Sequence, residues 1–167
     1  MTKYLKAVLL GAVMLIASFA GAQVVTSAQG FTVTAPVALT AQPSSNLVDD
    51  AGTPYTMTSY TMAPLANGDD FAVVVGQFNF QLDQHNLQGM LDTYEKHTGL
   101  SIVKSLPTTV SGQPGYLVAS KSTSGRDTRY ATLVTYRGNT VYIFVIRTYP
   151  ETTSDEASFK AFMNPTI

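Results

Sequence analysis

The chain has 167 residues, 45% hydrophobic and 13% charged, with a formal charge of −1 and no cysteine. That size is one ordinary domain, whose stability rests on its core because no disulfide can form. A near-neutral balance without runs of like charge argues against nucleic acid or an anionic membrane surface as the main partner. The lack of thiols excludes thiolate metal sites and thiol catalysis.

Met1 to Ala22 has the pattern of a secretory signal: Lys3 and Lys6 in a short basic start, an apolar run from Ala7 to Ala20, and Ala20-Gly21-Ala22 as a small-x-small cleavage site. The run is shorter than the roughly 20 residues that span a bilayer. The expectation is export to the periplasm or beyond, cleavage near Ala22, and membrane contact only through the transient signal, with an uncleaved N-terminal anchor as the alternative. Without a cysteine, the lipid-bearing residue of a lipoprotein signal cannot exist. Cleavage would leave 145 residues with eight basic and 11 acidic side chains.

Residues 23–30 are small and polar and predict a flexible N-terminal segment, so the folded domain is placed at 31–167. Phe31 to Thr34 alternates and runs into Ala35-Pro36, which predicts a short edge strand. Val37 to Pro54, rich in Ala, Pro, Ser, Asn and Asp, predicts a long loop. Tyr55 to Met62 and Phe71 to Phe78 predict strands, joined by a turn through Asn67-Gly68-Asp69-Asp70. The period then changes: Leu87, Met90, Leu91 and Tyr94 form the stripe of an amphipathic helix, with Asp83 or Asn86 to cap its start and Gly99 at its end. Ser101 to Leu106 predicts a weaker strand.

The strongest pattern follows. Gly115 to Lys121, Arg129 to Tyr136 and Thr140 to Arg147 are rich in β-branched and aromatic residues and predict an antiparallel meander. With Gly138-Asn139 as a two-residue turn, Arg137 faces Thr140, Leu133 faces Phe144, Val134 faces Ile143, Ala131 faces Ile146 and Tyr130 faces Arg147. Val141, Ile143 and Val145 then share one face and Tyr142, Phe144 and Ile146 the other. Both are apolar, so both call for a covering layer. Near the C-terminus, Thr153 with Glu156 predicts a capping box opening a helix that turns Phe159, Phe162 and Met163 inward before Asn164-Pro165. The fold class expected is α+β: an antiparallel sheet of about six strands flanked by helices on both faces.

Little here carries chemistry. His85 and His97 are not spaced as metal ligands. Ser111 and Ser124 lie beside turn glycines without the framing of a nucleophile elbow. Asp49-Asp50 and Asp69-Asp70 lack the alternating oxygen ligands of a calcium loop and read as turns. Asp92 and Lys96, four apart on the helix, predict an exposed ion pair, with Glu95 facing solvent. No catalytic residue, cofactor site or metal site is assigned. The candidate partner surface is Arg126, Arg129, Tyr130 and Arg147. Those cations flank one strand end, either packed on rings or exposed to an acidic or aromatic partner.

The element order, taken with Gly112-Gln113-Pro114-Gly115-Tyr116, Arg137-Gly138-Asn139-Thr140-Val141-Tyr142 and Phe159-Lys160-Ala161-Phe162-Met163, resembles the PsbP-like α/β/α sandwich. The DcrB-like envelope proteins look similar. The resemblance covers about Phe31 to Ile167 and implies a non-catalytic accessory or binding module. An aromatic residue often found after the first-strand proline is replaced by aliphatics around Val37 to Leu39. No acidic or histidine ligands of the photosynthetic members can be matched, so metal binding and a photosystem partner are not implied.

The expected function is therefore an exported accessory or binding protein of the cell envelope, meeting an unknown envelope protein through its loops or one sheet margin. The alternatives are a small-molecule or lipid carrier with a cavity between sheet and helix and, last, a hydrolytic enzyme.

Overall fold

The computed structural model describes residues 22–49, 51–123, 125, 127–150 and 155–167. The expected signal, the candidate Arg126 and the Thr153 of the expected capping box lie outside the described residues. The side chain of His97 does too.

Among the described residues ten strands and three helices follow in order: β1 (Gln23–Thr26), β2 (Thr32–Ala35), β3 (Thr40–Ala41), β4 (Ser45–Val48), β5 (Pro54–Thr61), β6 (Asp70–Phe78), α1 (Gln84–Asp92), α2 (Tyr94–Thr98), β7 (Leu100–Val110), β8 (Gln113–Ser122), β9 (Arg129–Arg137), β10 (Thr140–Thr148) and α3 (Glu156–Phe162). Eight strands form one antiparallel sheet in the order β3-β5-β6-β10-β9-β8-β7, with β4 also on β5, while β1 and β2 make a separate hairpin. The sheet is larger than the six strands expected, because Thr40–Ala41 and Ser45–Val48 add to its edge beside β5. Those pieces sit in the segment expected to be a loop. Their short length and prolines hide them locally, and only pairing with a distant strand defines them.

The meander follows the hairpin-derived register. Arg137 faces Thr140, Leu133 faces Phe144, Val134 faces Ile143 and Ala131 faces Ile146. The turn itself uses one positive φ, at Gly138 (62°), the first central position. Asn139 serves differently: its Nδ2 donates to the Phe78 carbonyl at 2.8 Å, and its own carbonyl accepts from Phe78 N at 2.9 Å. At the β7–β8 turn, Ser111 (φ 49°) and Gly112 (φ 80°) are both left-handed, as a mirror-image two-residue turn requires.

Two apolar clusters lie on opposite faces of the sheet. On one face Phe31, Val33, Phe71, Val73, Val75, Phe144, Ile146 and Phe162 form the main core. It is covered by α3 and by the β1–β2 hairpin. Phe162 is fully buried, edge-on to Phe71 (5.1 Å) and Phe144 (6.2 Å). The N-cap of α3 is Asp155, whose carboxylate accepts from Ala157 N at 3.0 Å and Ser158 Oγ at 2.7 Å. Asp155 therefore takes the position that the capping-box reading gave to Thr153.

The segment expected to be flexible is tied down on this same face. Val25 packs against the core. Tyr60 OH lies 2.6 Å from Ser27 Oγ and donates to Gln29 Oε1, while Gln29 Nε2 donates to Thr58 and Tyr142 OH donates to the Gln29 carbonyl. Short polar residues, which locally suggest a loose end, here meet a row of hydroxyls on β5 and β10.

On the other face, Leu82, Leu87 and Leu91 bury against Val118, Val134 and Val141. Asp83 and Asn86 cap α1 reciprocally, with Asn86 N to Asp83 Oδ1 at 2.8 Å and Asp83 N to Asn86 Oδ1 at 2.9 Å. The expected helix splits at Thr93, whose hydroxyl donates to the carbonyls of Gly89 and Met90. Such back-bonding favours a bend. Gly99 closes α2 with φ 66°. Glu95, expected to be merely solvated, accepts from Ile102 N at 2.7 Å and ties α2 to β7.

Candidate functional site

The register places the face under α1 and α2 on a grid. One row runs Thr132, Val145, Ala72 and Thr61 across β9, β10, β6 and β5, and the next runs Val134, Ile143, Val74 and Ser59. A nine-residue helix is about 14 Å long, whereas this sheet, seven strands across, spreads over about 29 Å at the usual strand spacing. The helices therefore cover only part of it.

Val118 and Val141, near the helices, are 0% and 4% exposed. Farther along, Met57, Ser59, Thr61, Ala72, Val74 and Val145 are all half-buried. The expectation that Val141, Ile143 and Val145 are all covered is thus corrected: Val141 is, while Ile143 and Val145 stay half-buried. The result is a half-buried strip of aliphatic and hydroxyl side chains on β5, β6 and β10, beside the helical layer.

At one end of the strip stand two of the sequence-derived candidates. Tyr130 faces Arg147 across β9 and β10, and Arg147 faces Asp70 across β10 and β6. Arg147 Nη2 donates to Asp70 Oδ2, and its guanidinium carbon lies 6.0 Å from the centre of the Tyr149 ring. Burial pushes the Asp70 carboxyl above its usual value; Arg147 opposes the shift and Asp69 adds to it. Arg147 Nε is buried without a partner.

Arg129 precedes Tyr130 and so projects to the opposite face. It is paired with Thr148, and its guanidinium lies 3.9 Å from Asp127. The structure thus unites Tyr130 with Arg147 but separates Arg129 from both, and an acid stands beside each of these two arginines. Sequence reading missed Asp70 as the partner, since β6 and β10 are far apart in the chain and only the sheet order joins them.

The remaining candidates behave as turns. Asp49 Oδ1 accepts from Ala51 N and Thr53 N, at 2.9 and 2.8 Å. Asn67 and Asp69 exchange two bonds, Asp69 N to Asn67 Oδ1 at 3.0 Å and Asn67 Nδ2 to Asp69 Oδ2 at 2.9 Å. His85 is exposed near the start of α1. Among the described residues no group of three His, Cys, Asp or Glu comes together to hold a metal ion. Among them, too, no helix is long and apolar enough to cross a membrane. The space expected to hold a carrier's ligand, between the sheet and α1, is occupied by Leu82, Leu87 and Leu91.

This fold is PsbP-like. The solution structure of cyanobacterial PsbP from Synechocystis superposes with a TM-score of 0.56 at 10% identity, covering 95% of this chain and 98% of that one. A Pseudomonas aeruginosa protein of unknown function matches with a TM-score of 0.45 at 15% identity, over 77% of this chain and 83% of that one. A Bacteroides thetaiotaomicron protein matches with a TM-score of 0.48 at 12% identity, over 87% of this chain. The chain spans 48% of that protein's length. No family model matches the sequence, and no curated protein does.

Proposed function

We infer that this chain is an exported, non-catalytic binding protein of the cell envelope that meets a protein partner through the half-buried strip of its sheet. The observation that carries the reading is the row of half-buried side chains from Met57 to Val145, apolar enough to gain from being covered and too well spread over three strands to be a packing flaw. Secretion rests on the pattern of residues 1–22. The Tyr130, Arg147 and Asp70 row supplies a polar margin to the strip, the arrangement of apolar centre and polar rim that protein interfaces use. The fold itself leaves the choice of function open, since one scaffold hosts many roles.

The test is in-cell crosslinking of the tagged full chain in an exporting bacterial host, beside the Val145→Lys variant. The reading expects a discrete adduct with an envelope protein that the variant loses while remaining folded and exported. An adduct unchanged by the substitution, or one formed with cytosolic proteins alone, would contradict it.

A further inference from the structure

β1 begins at Gln23, the residue that directly follows Ala20-Gly21-Ala22. We propose that Gln23, made the N-terminus by cleavage after Ala22, closes on itself to a pyroglutamyl residue. This rests on the export reading above and adds a modification site to it.

The step needs no co-reactant. The free α-amine attacks the side-chain carboxamide carbon, a nitrogen–Cδ bond forms, the Cδ–Nε2 bond breaks, and ammonia departs carrying the proton released by the amine. Nothing is oxidised or reduced. The attacking form is the unprotonated amine, and an α-amino group titrates near about 8, so a usable fraction is present at neutral pH. The side chain of Gln23 is exposed. It lies opposite Ala35 at the open end of the hairpin, away from the Ser27–Gly30 turn. Folding back onto its own nitrogen therefore displaces no packed group.

The consequence is protective. The ring removes the terminal positive charge and leaves no free amine for an aminopeptidase to grip. What it guards is the strand that places Val25 on the core and leads into Ser27 and Gln29, the residues bonded to Tyr60, Thr58 and Tyr142.

The experiment takes the full chain exported from bacterial cells and dimethylates the amines of the intact mature protein before digestion, so that a ring cannot form later in the peptides. The expected N-terminal peptide starts at residue 23, is unlabelled and is lighter by one ammonia, whereas the Gln23→Ala variant is cut at the same place and labelled. A predominantly labelled Gln23 overturns the ring closure and leaves the export reading standing. A peptide starting elsewhere overturns the cleavage position and the ring together.

Discussion

Arg147 on β10 reaches across to Asp70 on β6, and this pair closes one end of the half-buried sheet strip. Partial burial works against the ionised Asp70 more strongly than Arg147 favours it, so its folded pKa lies above 3.8. A group shifted that way contributes stability that is fully present below the unfolded pKa and is lost as pH rises through the folded one. The stability of the wild type relative to Asp70→Asn should therefore fall as pH rises from 3.8 through the folded pKa of Asp70, then level off. Urea unfolding of both proteins across that range measures it.

Asp155 predicts the opposite sign. The hydrogen bond from Ser158, opposed by some burial and helped by Ala157 N–H, holds its carboxyl below 3.8. Its contribution is present above the unfolded pKa and is lost as pH falls through the folded value. Asp155→Ala should cost about 1 kcal/mol at neutral pH. That deficit should shrink on acidification below 3.8. Asp155→Asn, which keeps a capping oxygen, should lose less at neutral pH.

Phe162 joins α3 to the main core and is fully buried against Phe71 and Phe144. Phe162→Ala should cost about 3–5 kcal/mol. Removing α3 altogether should expose Phe71 and Phe144 and raise binding of a hydrophobic dye in the native baseline.

Gly115 on β8 has the Val134 carbonyl oxygen only 2.8 Å from where a Cβ would stand. The obstacle is backbone in the β8–β9 ladder, which cannot swing aside as a side-chain tip can. Gly115→Ala should destabilise by about 1–3 kcal/mol, visible as a lower urea midpoint with an unchanged slope.

The meander was legible in the sequence because its information is local: Gly138-Asn139 sets the register, and every pair from Arg137–Thr140 to Tyr130–Arg147 then follows. The cap at Asp83 and the inward turn of Phe159 and Phe162 are local for the same reason. What escaped depends on pairings between distant parts of the chain. Ser45–Val48 becomes a strand only against Met57 to Pro54. Gln23–Thr26 is held because β2 pairs with it, Val25 packs on the core, and Tyr60 and Tyr142 bond to the turn that follows. The half-buried strip was invisible because an apolar strand reads alike whether or not a helix is long enough to lie fully over it.

The most direct test of the binding account is to place a photoreactive side chain at Val145, within the strip, and separately at Val103, which is 63% exposed on the edge strand β7, and to irradiate cells exporting each form. The account predicts one discrete envelope-protein adduct from position 145 and none of that mass from position 103. An adduct from position 103 with nothing from position 145 would contradict it.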